Sequence, residues 1–187
     1  MLTFLARNCA RTALRAKVAA LRPKLYRLAY TWCHDPALAD DWVQEALLRA
    51  LQALDQLEDD AKCAAWLCRI LVNVQRDWWR AYRPGEDLEA LAELPDPGLT
   101  PEQVVLGQEA VWQVRQAVAQ LNDAQRKVLT LVDLMECSYI EVAEILGIPV
   151  GTVMSRLARA RQRLQILLAI PAAAQHQPKK LGLRSVK

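Results

Sequence analysis

Three features of the sequence predict an all-α fold. Leu and Ala dominate the 187 residues while Gly occurs only six times, a bias toward helix formers. Apolar residues recur at spacings of three and four, and no strand-like alternation of useful length interrupts them. Prolines crowd one acidic stretch, with Pro95, Pro97 and Pro101 following Pro84, and that spacing excludes a regular helix there. The expected architecture is two small helical domains joined by an acidic Pro-containing linker, the C-terminal one a helix-turn-helix. The domains are expected over 14–83 and 105–170, the linker over 84–104, and a basic, flexible tail over 171–187.

The first element is expected to be one amphipathic helix. Leu14, Val18, Leu21, Leu25 and Leu28 alternate steps of four and three, so they share a face. Residues 1–30 carry Arg7, Arg11, Arg15, Lys17, Arg22, Lys24 and Arg27 without an acid, which superficially suits a transit peptide. The apolar stripe favours a structural helix with a basic outer face. Asp35-Pro36 then starts a second helix. Within it Asp41, Gln44, Glu45 and Leu48 recur at three and four and form one face, while Trp42, Leu47 and Ala50 supply apolar surface elsewhere. An acidic stripe containing a leucine suits a basic helical partner, with electrostatic steering and an apolar anchor. Trp66 is expected in the core beside Leu67 and Ile70. Of the adjacent Trp78 and Trp79, one should face in and the other out.

Charge is distributed in blocks. Residues 34–61 hold eight acids against Arg49 alone, and residues 84–110 hold seven acids with no Lys or Arg. Residues 151–187 are purely basic. Such alternation predicts surfaces with different partners.

The second domain is the most legible. Thr100-Pro101-Glu102-Gln103 reads as a helix start. Asn122 or Asp123 can cap a helix carrying Val128, Leu131 and Met135. Ser138 caps a short helix, Tyr139 to Leu146, and Glu141 completes a capping box. Gly147 stops it, Pro149 blocks continuation, and a new helix begins near Val150. This is the helix-turn-helix pattern. At roughly 100° per residue, Val153, Leu157, Ala160 and Leu164 point to the core. Gly151, Ser155, Ala158, Arg159 and Gln162 lie opposite, flanked by Thr152, Met154, Arg156, Arg161 and Arg163. The helix carries no acid from 151 to 165, as a polyanionic partner requires. Arg offers a planar donor fork to guanine N7 and O6, and small Gly and Ala permit close approach.

The segment from Tyr139 to Arg161, with its lead-in Leu121-Asn122-Asp123-Ala124-Gln125-Arg126, resembles the fourth region of the extracytoplasmic-function sigma factors of bacterial RNA polymerase. The resemblance implies that this domain enters the major groove of the promoter −35 element. It places Met154, Ser155, Arg156, Ala158 and Arg159 at the DNA, with Met154 and Ala158 available to thymine methyls, and the helical wheel adds Thr152, Gln162 and Arg163 to the same face. Asp40-Asp41-Trp42-Val43-Gln44-Glu45-Ala46-Leu47-Leu48-Arg49-Ala50 is similar to the second region of the same family. That similarity implies docking of core RNA polymerase on Asp41, Gln44, Glu45 and Leu48. The stretch from Ala65 to Arg80 is similar to the family's promoter-melting segment. It implies −10 contacts from Asn73, Arg76 and Arg80, with Asp60 and Lys62 of the loop Asp59-Asp60-Ala61-Lys62 in the base pocket. Arg and aromatic planes can hold unstacked bases while Asn reads base edges. The resemblance covers about residues 21–83 and 105–168. The acidic linker fits a basic RNA channel of the polymerase, and an anti-sigma factor is a further expected partner.

Other classes fare worse. Cys9, Cys33, Cys63, Cys68 and Cys137 are odd in number and irregularly spaced, unlike a disulfide framework. Cys63 and Cys68 lie about 140° apart on a helix, so buried thiols are favoured over metal ligands. No phosphate loop, nucleophile motif or enforced acid–base pair suggests an enzyme, and no cofactor is implied. No apolar run is long enough to span a bilayer, so a cytoplasmic protein without membrane insertion is expected. The competing reading is a stand-alone helix-turn-helix regulator, which would bind palindromic duplex unaided. A purely protein-binding helical adaptor conflicts with the acid-free recognition helix.

Overall fold

A computed structural model of the chain describes residues 2–57, 59–82 and 106–169. Among them are eight α-helices and no strand. The helix start at Thr100-Pro101, the whole linker and the basic tail lie outside the described residues.

The first amphipathic stretch is two helices rather than one, α1 (Leu2–Ala20) and α2 (Arg22–Cys33). Pro23 is the reason, because it has no N–H to give to the preceding turn and its ring crowds that turn's carbonyl. The apolar stripe survives the break: Leu14 and Val18 are buried from α1, Leu25 and Leu28 from α2. His34 ends α2 in the left-handed conformation, its N–H on Tyr30 O at 2.8 Å. Asp35 then caps α3 (Pro36–Gln52), one carboxylate oxygen accepting from Leu38 N at 2.9 Å, with Pro36 in the first turn. Ala39, Ala46 and Ala50 are fully buried on α3, and their small size lets neighbouring helices close on Trp42 and Val43. Short 3-10 turns lead to α4 (Cys63–Ala81). Leu67, Cys68, Leu71 and Val72 of α4 complete this first core.

The second unit contains α5 (Leu106–Ala119), α6 (Asp123–Asp133), α7 (Tyr139–Leu146) and α8 (Val150–Ala169). Asn122 caps α6 through Gln125 N at 2.9 Å. Ser138 caps α7, and Glu141 closes the box on Ser138 N at 2.7 Å. Gly147 follows at φ 68, a conformation that costs a residue with a Cβ about 1–2 kcal/mol. Val128, Leu131, Val142, Val153, Leu157 and Ala160 pack as one core with Leu164 half-buried against it. Each fully buried aliphatic side chain contributes about 1.5–3 kcal/mol.

The two units are packed together, α2 against α6 and α4 against α7, and their apolar cores are continuous. Trp32, 5% exposed, donates its Nε1–H to Thr130 Oγ1 at 3.0 Å. Arg126 reaches from α6 to Thr31 O at 3.4 Å and His34 Nε2 at 2.9 Å. Its other terminal nitrogen holds Ala119 O at 2.7 Å and Leu121 O at 2.8 Å.

Candidate nucleic-acid and partner interfaces

On α3 the four residues expected to share a face do so. Asp41, Gln44 and Leu48 are exposed, Glu45 is half-buried, and together they line one shallow groove. Leu48 is 51% exposed, an apolar side chain without cover in an acidic setting. Glu45 Oε1 accepts from Arg49 Nε at 2.7 Å, and Arg49 Nη1 bridges to Asp77 Oδ2 at 2.6 Å on α4. One guanidinium between two carboxylates is held firmly in its charged form, Asp77 contributing most. The trio keeps a net negative charge. Gln44 is braced by Asp40 at 2.6 Å, which also pairs with Arg22 at 2.5 Å. These bonds fix side-chain directions at the groove before any partner arrives.

Along α4, Asn73, Arg76 and Arg80 follow steps of three and four and form one stripe. All three are exposed as residues. Arg80 is loosely paired with Asp77 at 3.7 Å. Arg76 is engaged: its Nη2 donates to Leu146 O at 2.7 Å, at the C-terminal end of α7. A cation there satisfies an orphan carbonyl and the negative end of the helix dipole. Asp60 and Lys62, also exposed, lie in a 3-10 turn whose start is capped by Asp59 through Ala61 N at 2.8 Å. Lys17 bonds to the backbone oxygen of Asp60 and ties this turn to α1. Trp66 is half-buried against the core. Trp78 turns inward onto Trp42, ring centroids 5.8 Å apart, whereas Trp79 is 37% exposed. Tyr82 stacks on Trp78 at 4.7 Å, leaving an aromatic group beside the stripe.

On α8 the expected outer face is largely open. Gly151, Met154, Ala158, Arg159, Gln162 and Arg163 are exposed. Thr152 and Ser155 are half-buried, with Ser155 Oγ donating to Thr152 O at 3.1 Å. Arg156 is half-buried and borders the cleft between the units, near Arg76 and Lys127. Arg161 is tied to Asp133 at 2.8 Å. A Cβ built on Gly151 would meet nothing within 4 Å. Packing within the chain therefore does not require glycine there, although glycine in a helix costs about 1 kcal/mol.

Sequence reasoning missed the contacts between the units. Trp32 carried no spacing signal, and Arg76 was read only as a DNA contact. Arg126 carried no clear signal either, lying five residues after Leu121 and two before Val128 with Asp123 close by in sequence. Its burial weakens its hold on the proton, desolvation outweighing Asp123, yet backbone carbonyls rather than a carboxylate receive it.

Residues 18–84 match the family described as Sigma-70 region 2, and residues 112–164 match Sigma-70, region 4. The chain is similar to the ECF RNA polymerase sigma factor SigW of Bacillus subtilis, 33% identical over 77% of this chain and 82% of that protein. It is also similar to the ECF RNA polymerase sigma factor EcfG of Rhodopseudomonas palustris, 36% identical over 89% of this chain and 91% of the relative. Among solved structures, the sigma factor RpoE of Bartonella quintana, in complex with the anti-sigma factor NepR, superimposes with a TM-score of 0.62. That match is 25% identical and covers 83% of this chain and 96% of RpoE.

Proposed function

The chain belongs to the extracytoplasmic-function RNA polymerase sigma factors, and from that premise we propose which of its surfaces carries each step of promoter recognition. It directs core RNA polymerase to promoters by binding, without catalysing a reaction of its own. The α3 groove of Asp41, Gln44, Glu45 and Leu48 docks the polymerase. The observation that carries this reading is the groove itself: three polar side chains and one uncovered leucine, pre-set by Asp40 and Arg49. The α4 stripe of Asn73, Arg76 and Arg80, with Asp60 and Lys62, receives the opened −10 element. Flipping a base costs a few kcal/mol, and the stripe's donors and neighbouring aromatics supply the compensating contacts.

The outer face of α8 reads the −35 element, Arg159, Gln162 and Arg163 supplying donors and Met154 and Ala158 apolar contacts. Arg156 joins them once the two units separate. An anti-sigma factor is a fitting partner for the packed arrangement of the two units, since the similar RpoE was solved with NepR in place. No described helix is long and apolar enough to cross a membrane, and work beside RNA polymerase places the protein in the cytoplasm.

The test is co-elution of the full chain with core RNA polymerase, wild type against Glu45→Lys with Leu48→Ala. Neither side chain is in the core, so both proteins should show the same helical content. The wild type is expected to co-elute. The double variant should weaken binding by at least about 2 kcal/mol, the scale of an interface anchor. A wild-type chain that ignores the polymerase yet binds duplex DNA tightly by itself would overturn the proposal in favour of a stand-alone regulator.

A further inference from the structure

Two thiols meet where the units join. Cys68 is fully buried on the inner face of α4, and Cys137, 6% exposed, immediately precedes the Ser138 cap of α7. The register of the two helices puts them opposite one another. Arg76 lies eight residues beyond Cys68 and bonds Leu146, nine residues beyond Cys137. At about 1.5 Å per residue, Cys68 to Arg76 spans about 12 Å and Tyr139 to Leu146 about 10 Å, with Cys137 two residues before the start of α7. The two segments therefore run side by side in the same direction, with Arg76–Leu146 at one end and the cysteines at the other. There Cys68 faces Cys137 within one apolar cluster where α4 packs on α7, and the Cys137 thiol also reaches Met135 O at 4.0 Å.

The pair is chemically unequal. Cys68 is pushed well up, first by its bond to Cys137 and then by burial, so it keeps its proton. Cys137 is pushed down by accepting that bond, which outweighs its own desolvation. The thiolate is the nucleophile in sulfur chemistry, and Cys137 is the one nearer solvent. Cys33 and Cys63, by contrast, are pushed up chiefly by burial.

We propose that Cys68 and Cys137 form a redox latch, in which a hydroperoxide joins them as a disulfide that locks the two units closed. In the first step the Cys137 sulfur attacks one peroxide oxygen. The O–O bond breaks, an alcohol or water leaves, and Cys137 becomes a sulfenic acid. In the second step the Cys68 sulfur attacks the Cys137 sulfur, the S–S bond forms, and the hydroxyl departs as water with the Cys68 proton. Two thiols and one hydroperoxide give one disulfide, one alcohol and one water, the sulfurs passing two electrons to the peroxide. Reduction by a dithiol reverses it. While the bond lasts, Arg76 stays on Leu146 O and α4 cannot part from α7. The consequence for transcription rests on the sigma-factor reading. The cross-link itself does not.

The experiment treats the full chain with hydrogen peroxide and maps disulfides by mass spectrometry of the unreduced digest. Amide exchange of α4 and α7 is then followed, free and with core RNA polymerase. A Cys68–Cys137 peptide is expected, together with exchange across α4 and α7 at least about tenfold slower than in the reduced chain. A chain with Cys9→Ser, Cys33→Ser and Cys63→Ala should still latch, and Cys137→Ser should not. Cys68→Ala serves as the second variant, because Cys137→Ser changes the rim and Cys68→Ala the core. A disulfide that maps to other cysteines, or a Cys68–Cys137 bond without slower exchange, would overturn the latch. Should the reduced chain fail to bind polymerase, the sigma-factor reading fails, while the mapping and the exchange of the free chain still judge the latch.

Discussion

The α3 groove and the α4 stripe belong to the same helical unit, yet they stand in different states. The groove of Asp41, Gln44, Glu45 and Leu48 faces outward with its leucine uncovered. The stripe has given one of its cations, Arg76, to the carbonyl end of α7. The difference comes from where the second unit sits. It packs on α2 and α4 and leaves the outer side of α3 alone. On the proposed assignment of these surfaces, a chain built this way presents its polymerase face while part of its promoter face is occupied. On this view the packed arrangement is ready to be recruited, and separation of the units is a later and distinct step.

Arg126→Ala should have the largest effect on that step. The side chain supplies four hydrogen bonds, two across to α2 and two to the α5–α6 corner. Truncation leaves carbonyls short of a donor in a half-buried place. A loss of about 2–3 kcal/mol in urea unfolding is expected, and Lys should rescue little, because an ammonium cannot reproduce the planar fork. Amide protection between α2 and α6 should fall first. Polymerase binding through the α3 groove should hold at concentrations where the variant is folded. A parallel collapse of polymerase affinity would break the comparison, since it would mean the groove depends on the packed state.

Asn73→Ala and Arg76→Ala separate the two duties of the stripe. Both should reduce promoter opening by about tenfold, the weight of one base-edge contact of about 1–3 kcal/mol, as read by permanganate reactivity of unpaired thymines. Only Arg76→Ala should also speed amide exchange at the end of α7, where Leu146 O loses its donor. Equal exchange in the two variants would show that the Arg76–Leu146 bond does not hold the units together.

Much of this was legible in the sequence because it depends on local spacing. The Ser138–Glu141 box, the Gly147 stop and the Val153, Leu157 and Ala160 ridge are set within a few residues, and each occurs as the pattern indicates. So is the joint face of Asp41, Gln44, Glu45 and Leu48. What failed is of two kinds. The first helix was read as continuous because its apolar spacing runs unbroken past Pro23, and periodicity cannot see a missing N–H. The interface between the units pairs residues about a hundred positions apart, such as Trp32 with Thr130. No spacing rule encodes that, and Arg76 and Arg156 consequently read as free DNA contacts. The roles proposed for individual residues at the DNA and the polymerase come from family likeness, which spacing alone does not supply.

Trp32→Phe is a finer probe of the interface. It keeps a buried aromatic ring but removes the donor to Thr130 together with the pyrrole part of the indole. Thr130 itself remains bonded to Arg126 O at 2.8 Å, so no hydroxyl is stranded. The expected cost is about 2 kcal/mol, a single hydrogen bond plus a small cavity, seen as a lower urea midpoint with an unchanged slope. A far larger cost would mean that ring packing, including Lys127 lying 5.9 Å from the ring centroid, dominates there.

The smallest effect on stability is expected at the edge of α8, where it sharpens the contrast between engaged and free cations. Arg161 pairs with Asp133 at 2.8 Å, and both side chains are about half exposed, at 51% and 47%. Such a pair contributes little in water, so Asp133→Asn should change stability by less than about 0.5 kcal/mol. The guanidinium stays charged with or without its partner, because its ordinary value already lies far above neutral pH and Asp133 only raises it. What changes is its freedom. Released Arg161 adds a cation beside Arg159 and Arg163 on a helix without acids. One further phosphate contact steepens the logarithmic dependence of DNA affinity on salt by about 0.9. Titrating promoter duplex with the polymerase complex across a salt series would read that slope for both proteins. A steeper slope would place Arg161 within reach of the DNA backbone, held back by Asp133 in the same way that Leu146 holds Arg76. An unchanged slope would confine the DNA face to the side of α8 bearing Met154, Ala158, Arg159, Gln162 and Arg163, and would leave Arg76 as the engaged cation that matters.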